Sequence, residues 1–259
     1  MTLLALLKAS HFGPTVTVTA VGFTLSLTTG RPLWQSGVLA AAVLTGQLSI
    51  GWSNDWIDHP RDLANSRTDK PAVAGDIGRR AIGVSAVIAL ACCVPLSLVA
   101  SPTGWLHLLA VGLGWWYNAH AKRTILSFLP YVAAFGLLVV FAIPHSPWWM
   151  VAAGALLGGA AHFANVLPDL ADDAATGVRG LPHRIGRDPS RVVTVVMLAA
   201  AAGLLLGRME LRWAVLTALV TLIGAAVIAF SRSRRRFFLL VQLVALINVV
   251  MLLLVAFGT

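Results

Sequence analysis

Nine apolar runs of roughly transmembrane length dominate this chain. They cover residues 12–29, 33–52, 81–99, 104–117, 125–143, 148–166, 192–206, 213–230 and 237–257. A backbone in lipid must satisfy its own N–H and C=O groups, so only helices and closed barrels span a bilayer. A spanning helix needs about 20 apolar residues, with about 17 to 25 tolerated. The runs therefore predict an all-α integral membrane protein with a nine-transmembrane-helix bundle. The fourth and seventh runs are short, which leaves eight as the alternative count. Composition agrees: 58% of residues are hydrophobic and only 11% charged, with a mean hydropathy of +0.83, against about 25% charged in ordinary soluble domains.

The breaks between runs carry turn and interface signals. Ser101-Pro102-Thr103-Gly104 and Pro144-His145-Ser146-Pro147 read as turns. Trp148, Trp149 and Trp213 stand where runs begin, as interfacial aromatics do. The adjacent Cys92 and Cys93 lie inside an apolar run and suggest no disulfide framework.

Basic residues fix the expected orientation. With nine spans, sixteen of the nineteen Lys and Arg residues fall on the side that holds the N-terminus and the even-numbered loops. Only Arg31, Arg208 and Arg212 fall on the other. The positive-inside rule then predicts a cytoplasmic N-terminus and a C-terminus outside, in a membrane expected to be the plasma membrane of a prokaryote. Dropping one span scrambles this bias. The net charge of +9 is thereby explained by topology, and nucleic acid is not expected as a partner.

The acidic residues point to chemistry. Nine of the ten sit in two loops on the predicted cytoplasmic side: Asp55, Asp58, Asp62, Asp69 and Asp76 after the second run, and Asp169, Asp172, Asp173 and Asp188 after the sixth. Asn54, Asp55, Asp58 and Asp62 read N-D-x-x-D-x-x-x-D, and Asn165, Asp169 and Asp173 read N-x-x-x-D-x-x-x-D. Steps of three and four predict that each set lines one face of a helix. Like charges so spaced repel and call for a cation or a basic partner. Hard oxygen ligands suit Mg²⁺, whose shell is usually completed by water and substrate phosphates. Two such rows facing each other would hold Mg²⁺ around a diphosphate. An EF-hand, with its central Gly, is absent. Arg67, Lys70, Lys122 and Arg123 in the same loops are candidates to neutralise that diphosphate. His59, His120, His162 and His183 lack metal-ligand spacing and are read as polar lining. Trp52 and Trp56 flank the first motif. They could face a carbocation, though interface anchoring is the simpler role.

These motifs resemble those of the UbiA superfamily of intramembrane prenyltransferases. Residues 54–62, followed by Arg67-Thr68-Asp69-Lys70-Pro71 and Gly75, are similar to its first motif. Asn165 to Asp173, followed by Gly177, Leu181-Pro182 and Gly186, is similar to its second. Tyr117 with Lys122-Arg123 resembles the stretch between them. Two departures concern the diphosphate contacts: Lys70-Pro71-Ala72 stands where the family often has Arg-Pro-Leu, and Gly180-Leu181-Pro182 replaces Thr-Leu-Pro.

The resemblance spans the chain and implies one domain over residues 1–259, with its active site at the cytoplasmic end of a central cavity. It implies that Asp55, Asp58, Asp62, Asp169 and Asp173 bind Mg²⁺ and are the catalytic residues, with Asn54, Arg67, Lys70, Tyr117, Lys122, Arg123 and Asn165 binding substrate. The implied reaction moves an isoprenyl group from an isoprenyl diphosphate to a hydrophobic, aromatic acceptor such as a quinone or pigment precursor, in contact with membrane lipids. Alternatives within the fold are phosphoribosyl or other transfer to a polyprenyl phosphate, and terpene cyclisation. A lipid-phosphate transporter is a different class, and it predicts ionisable residues at mid-span that these runs nearly lack.

Overall fold

The computed structural model describes residues 3–208 and 234–258, and every regular element among them is helical. Five helices are long and apolar enough to cross a membrane: Leu33–Ala64, Arg79–Ala100, Ile125–Ala142, Trp148–Asp169 and Arg187–Leu206. Phe12–Leu27 is apolar but shorter. The expected span at 104–117 is also a helix, Gly104–Ala119, and the expected span at 213–230 lies outside the described residues.

The described residues fall into two compact units. The first holds residues up to His120 together with Phe141–Pro144. Its elements are α1 (Leu3–Ala9), α2 (Phe12–Leu27), α3 (Leu33–Ala64), the single turn α4 (Pro71–Ala74), α5 (Arg79–Ala100) and α6 (Gly104–Ala119). Helix α3 is the axis of this unit and packs on α2, α5 and α6. Its buried residues include Ser36, Ala42, Gly46, Ser49, Gly51 and Ser53, small side chains that let neighbouring helices approach where lipid supplies no hydrophobic drive between them. Small residues on α5 do the same: Ala86, Ala89 and Cys93 are buried.

Two side chains repair the helix ends and breaks of this unit. Arg31 donates to the carbonyls of Ala100 (3.4 Å) and Ala142 (2.9 Å), groups that a helix C-terminus leaves without an intrahelical donor. Pro60 lies inside α3 and cannot donate to the carbonyl four residues back. That carbonyl belongs to Trp56, and Arg79 Nε donates to it at 3.2 Å. Helix α3 thus runs unbroken through the first acidic motif.

The second unit holds Ala121–Val140 and residues from His145 onward. It begins with two 3-10 turns, Ala121–Arg123 and Ile125–Phe128, which lead into α7 (Leu129–Ala142). Then follow α8 (Trp148–Val166), a 3-10 turn Leu167–Asp169, α9 (Leu170–Ala175), α10 (Leu181–Ile185), α11 (Arg187–Leu206) and α12 (Arg234–Gly258). Its core is the seam between α8 and α11, where Leu157, Ala160, Ala164, Leu198 and Ala201 are buried with Val244 of α12.

Candidate functional site

The first acidic set sits in the last three turns of α3. Asp55, Asp58 and Asp62 are 2%, 3% and 4% exposed, so the predicted single helix face is present and covered. Buried charge requires partners, and each carboxylate has them. Lys70, just before α4, places Nζ 2.6 Å from Asp55 Oδ1. Arg61 donates to Asp58 Oδ2 at 3.1 Å and lies 3.8 Å from Asp62 Oδ1. Asn54 donates to the same Asp58 oxygen at 3.3 Å. Asp55 Oδ2 is buried with no hydrogen-bond partner.

Two residues without spacing signals complete this set. Asn118, in the last turn of α6, donates to Ile50 O (2.9 Å) and Ser53 Oγ (2.8 Å) and accepts from Asn54 (3.2 Å). It orients Asn54 from the side. His11, between α1 and α2, brings Nε2 to 3.4 Å from Asp55 Oδ1. Neither is in register with the aspartates, so only the fold brings them there. Tyr117, next to Asn118, is half-buried in the same turn of α6. Arg67 is held in a two-pronged ion pair with Asp69, both distances 2.9 Å. The hydrogen bonds from Arg67 hold the Asp69 carboxyl below its ordinary value.

The second set is built differently. The spacing predicts that Asn165, Asp169 and Asp173 share one helix face, but the helix breaks between them. Helix α8 ends at Val166, residues 167–169 form a 3-10 turn, and α9 restarts at Leu170. Pro168 is the physical reason, since it removes an N–H and clashes with the preceding turn. Asn165 and Asp169 are exposed and Asp173 is half-buried. Asn165 is hydrogen-bonded to the Tyr131 side chain, and His183 Nε2 lies 3.6 Å from Asp173 Oδ2.

Lys122 and Arg123 lie in the 3-10 turn Ala121–Arg123, where Lys122 is buried and Arg123 exposed. The backbone of this turn meets the segment after the second motif. A Cβ on Gly180 would fall 2.7 Å from Ser127 Oγ and 2.9 Å from Lys122 O. Ser127 Oγ accepts from Leu181 N at 2.9 Å and lies 3.2 Å from His162 Nε2. Gly180, noted above as a departure from the family pattern, is thus the residue that permits this close approach. His162, expected to be polar lining, helps hold the segment through Ser127.

Among the described residues no three Asp, Glu, His or Cys side chains converge as a ready-made metal cage. Mg²⁺ does not require one, because it keeps waters and is usually bound by one or two carboxylates plus substrate phosphates. The all-oxygen donor set fits that ion, and Asp55 Oδ2 is a buried carboxylate oxygen still wanting a partner.

Several solved structures share this fold. The apo structure of a UbiA homologue from Aeropyrum pernix K1 is 22% identical, with a TM-score of 0.73 over 92% of this chain and 97% of that one. A UbiA homologue from Archaeoglobus fulgidus, bound to GPP and Mg²⁺, is 14% identical, with a TM-score of 0.75 over 98% and 100%. A structure of digeranylgeranylglyceryl phosphate synthase is 15% identical, with a TM-score of 0.72 over 99% of both chains. At these identities the likeness shows the fold. No protein of curated function matches this sequence. The profile of the UbiA prenyltransferase family matches residues 15–238. The chain is therefore an integral membrane member of the UbiA prenyltransferase family.

Proposed function

We propose that this protein is a Mg²⁺-dependent intramembrane prenyltransferase that moves an isoprenyl group from an isoprenyl diphosphate to a hydrophobic acceptor, with release of diphosphate. The observation that carries this reading is the set of three nearly inaccessible carboxylates on one face of α3, each with a cationic neighbour and one with an unsatisfied oxygen. Buried carboxylates are costly, and lining up three is difficult to explain as structure alone. The A. fulgidus UbiA homologue bound to GPP and Mg²⁺, and a UbiA homologue from that organism bound to DMAPP and Mg²⁺, support the choice of donor and ion.

Asp55, Asp58, Asp62, Asp169 and Asp173 would hold Mg²⁺. Bound there, the ion supplies positive charge that stabilises the diphosphate as it leaves. The residues of the chain do the rest. Lys70, Arg67, Lys122 and Arg123 neutralise the remaining charge of the diphosphate. Asn54 and Asn165 orient the carboxylates or the phosphates through their amides, and Tyr117 borders the substrate. As the C1–O bond breaks, positive charge on the allylic group is stabilised by a site already arranged for it. An electron-rich aromatic acceptor then bonds to C1 and gives up a proton.

We take residues 1–259 as one nine-helix domain with the active site at the cytoplasmic end of a central cavity. The N-terminus is cytoplasmic and the C-terminus outside, in the plasma membrane of a prokaryote. A reporter fused after Thr259 that reads as cytoplasmic would refute this orientation. The reaction is tested by supplying isoprenyl diphosphates of graded length and aromatic acceptors to the protein in lipid. Diphosphate release that depends on Mg²⁺ and acceptor and stops with chelator is expected. Release without acceptor, with a cyclised hydrocarbon as product, would overturn it in favour of a cyclase.

A further inference from the structure

His11 reaches the first acidic set from a distant element, the corner between α1 and α2. It is the N-cap of α2, yet its side chain makes no cap hydrogen bond. Its backbone is left-handed, with φ 53° and ψ 56°, a region that side-chain-bearing residues enter at a cost. A residue held this way against its preference indicates that its surroundings over-determine it, which is common at functional sites.

The surroundings do fix it. The Trp52 indole of α3 donates to Leu6 O at 2.9 Å. Thr15 Oγ1 donates to Ser10 O at 2.8 Å. Gly51 of α3 lets the backbone of Ser10 come so close that a Cβ there would lie 2.6 Å from Ser10 O. Ala5 and Ala9 of α1 pack with Ile77 and Ile82. The corner between α1 and α2 is thus pinned against α3 immediately before His11.

The imidazole lies against both Asp55 and Lys70, and as the Nε2–H tautomer it donates to Asp55. His11 Nε2 is 3.4 Å from Asp55 Oδ1 and 3.4 Å from Lys70 Nζ, while Lys70 Nζ is 2.6 Å from the same oxygen. Two nitrogens from two segments therefore meet on Oδ1, and Oδ2 is buried without a partner. We propose that His11 is a positioning residue: with Lys70 it holds the Asp55 carboxylate by Oδ1 and so presents Oδ2 to the cation. The inference rests on the reading of Asp55 as a metal ligand. Ligating carboxylates are commonly oriented by such outer partners, whose loss costs about 10- to 100-fold in metal affinity.

The test is a titration of the detergent-purified full chain with Mn²⁺ alone, following free Mn²⁺ by electron paramagnetic resonance, beside thermal unfolding. His11→Gly relieves the left-handed backbone. It should unfold no earlier than wild type and bind Mn²⁺ about tenfold more weakly. His11→Gln, which places an amide near the Nε2 position, should recover most of that affinity, and His11→Met, similar in length but without a nitrogen, should not. In turnover, His11→Gly should raise the Mg²⁺ concentration for half-maximal rate about tenfold while changing the rate at saturating Mg²⁺ little. Wild-type Mn²⁺ affinity in His11→Gly or in His11→Met would overturn the proposal. Wild-type affinity in Asp55→Asn would instead remove the metal reading beneath it, so the two failures are distinct.

Discussion

The two acidic sets share a spacing and differ in almost everything else. Asp55, Asp58 and Asp62 ride one uninterrupted helix, are buried, and are pinned by Lys70, Arg61, Asn54 and His11. Asn165, Asp169 and Asp173 straddle a helix break, and the first two are exposed. The first set is already organised as a rigid support, because every carboxylate has a fixed neighbour. The second is organised by its backbone, through the contacts of Gly180, Ser127 and Leu181, and its carboxylates stand nearer to solvent. A periodic motif therefore specifies a face only while the helix carrying it continues.

Removing one carboxylate from each set should give the largest effects. Asp55→Asn should cut prenyl transfer by more than the roughly 100-fold that loss of an outer-shell partner costs. Asp169→Asn should also cut it by orders of magnitude, since the proposal places it among the ligands. Asp55→Asn should in addition change stability, because it leaves the buried Lys70–Asp55 pair half-made, whereas Asp169 is exposed and its loss should leave unfolding nearly unchanged. Asp188, 88% exposed and 3.8 Å from Arg191, serves as the control, and Asp188→Asn should keep both properties. Steady-state rates and thermal unfolding on the same preparations decide this, and full activity in Asp169→Asn would reduce the site to the first set alone.

Ligand binding should also act differently on the two sets. Pyrophosphate with Mg²⁺ should raise the melting temperature more than either alone, because the metal joins protein to phosphate. A ligand that binds only the folded state adds about 2.7 kcal/mol at a hundred times its dissociation constant. Hydrogen exchange should slow more in residues 167–183 than in residues 53–62, since the first set is ordered beforehand. Equal slowing in both, or full protection by pyrophosphate with chelator, would contradict the contrast drawn here.

How much of this was legible from sequence follows the same division. The spans 148–166 and 33–52 begin where their helices begin, because apolar length and Trp or Pro punctuation act locally. The face of Asp55, Asp58 and Asp62 was legible because α3 does continue. That continuity depends on Arg79 replacing the donor that Pro60 lacks, and a contact between residues 56 and 79 has no local signature. Spacing alone puts Asn165, Asp169 and Asp173 on one face, but Pro168 inside the motif ends α8 and starts a 3-10 turn. His11 and Asn118 reach the first set only through the packing of α1, α2 and α6 on α3, so no spacing rule could have found them.

A smaller effect tests the backbone support of the second set. Gly180→Ala puts a methyl into Ser127 Oγ and Lys122 O and should cost about 1–3 kcal/mol, the usual range for overpacking. Ser127→Ala opens space at Gly180 but leaves Leu181 N without its acceptor, at a cost of about 1–3 kcal/mol. The two residues touch, so their effects should not add, and the double variant should be less destabilised than the sum. Denaturant unfolding of the four proteins measures this. Strict additivity would mean that the segment after the second motif is not held by this contact.

The smallest expected effect concerns Arg67, which the proposal assigns to diphosphate while the structure pairs it with Asp69. Both partners are substantially exposed, 37% and 60%, so the pair should contribute only about 0.2–1 kcal/mol to stability. The Arg67 hydrogen bonds lower the pKa of Asp69. Its contribution is therefore present above the ordinary carboxylate range, near 4, and is lost as pH falls through the lowered value; at neutral pH it is constant. The choice between the two roles then lies in substrate binding at neutral pH. Asp69→Asn frees the guanidinium for phosphate and should leave KM for the isoprenyl diphosphate unchanged or slightly lower. Arg67→Gln removes a charge-assisted donor and should raise KM several-fold with kcat little changed, as expected for an interaction equally strong in ground and transition states. An Arg67→Gln variant with wild-type KM would make the Arg67–Asp69 pair a loop fastener, and would leave the diphosphate to Lys70 on the first set and to Lys122 and Arg123 beside the second.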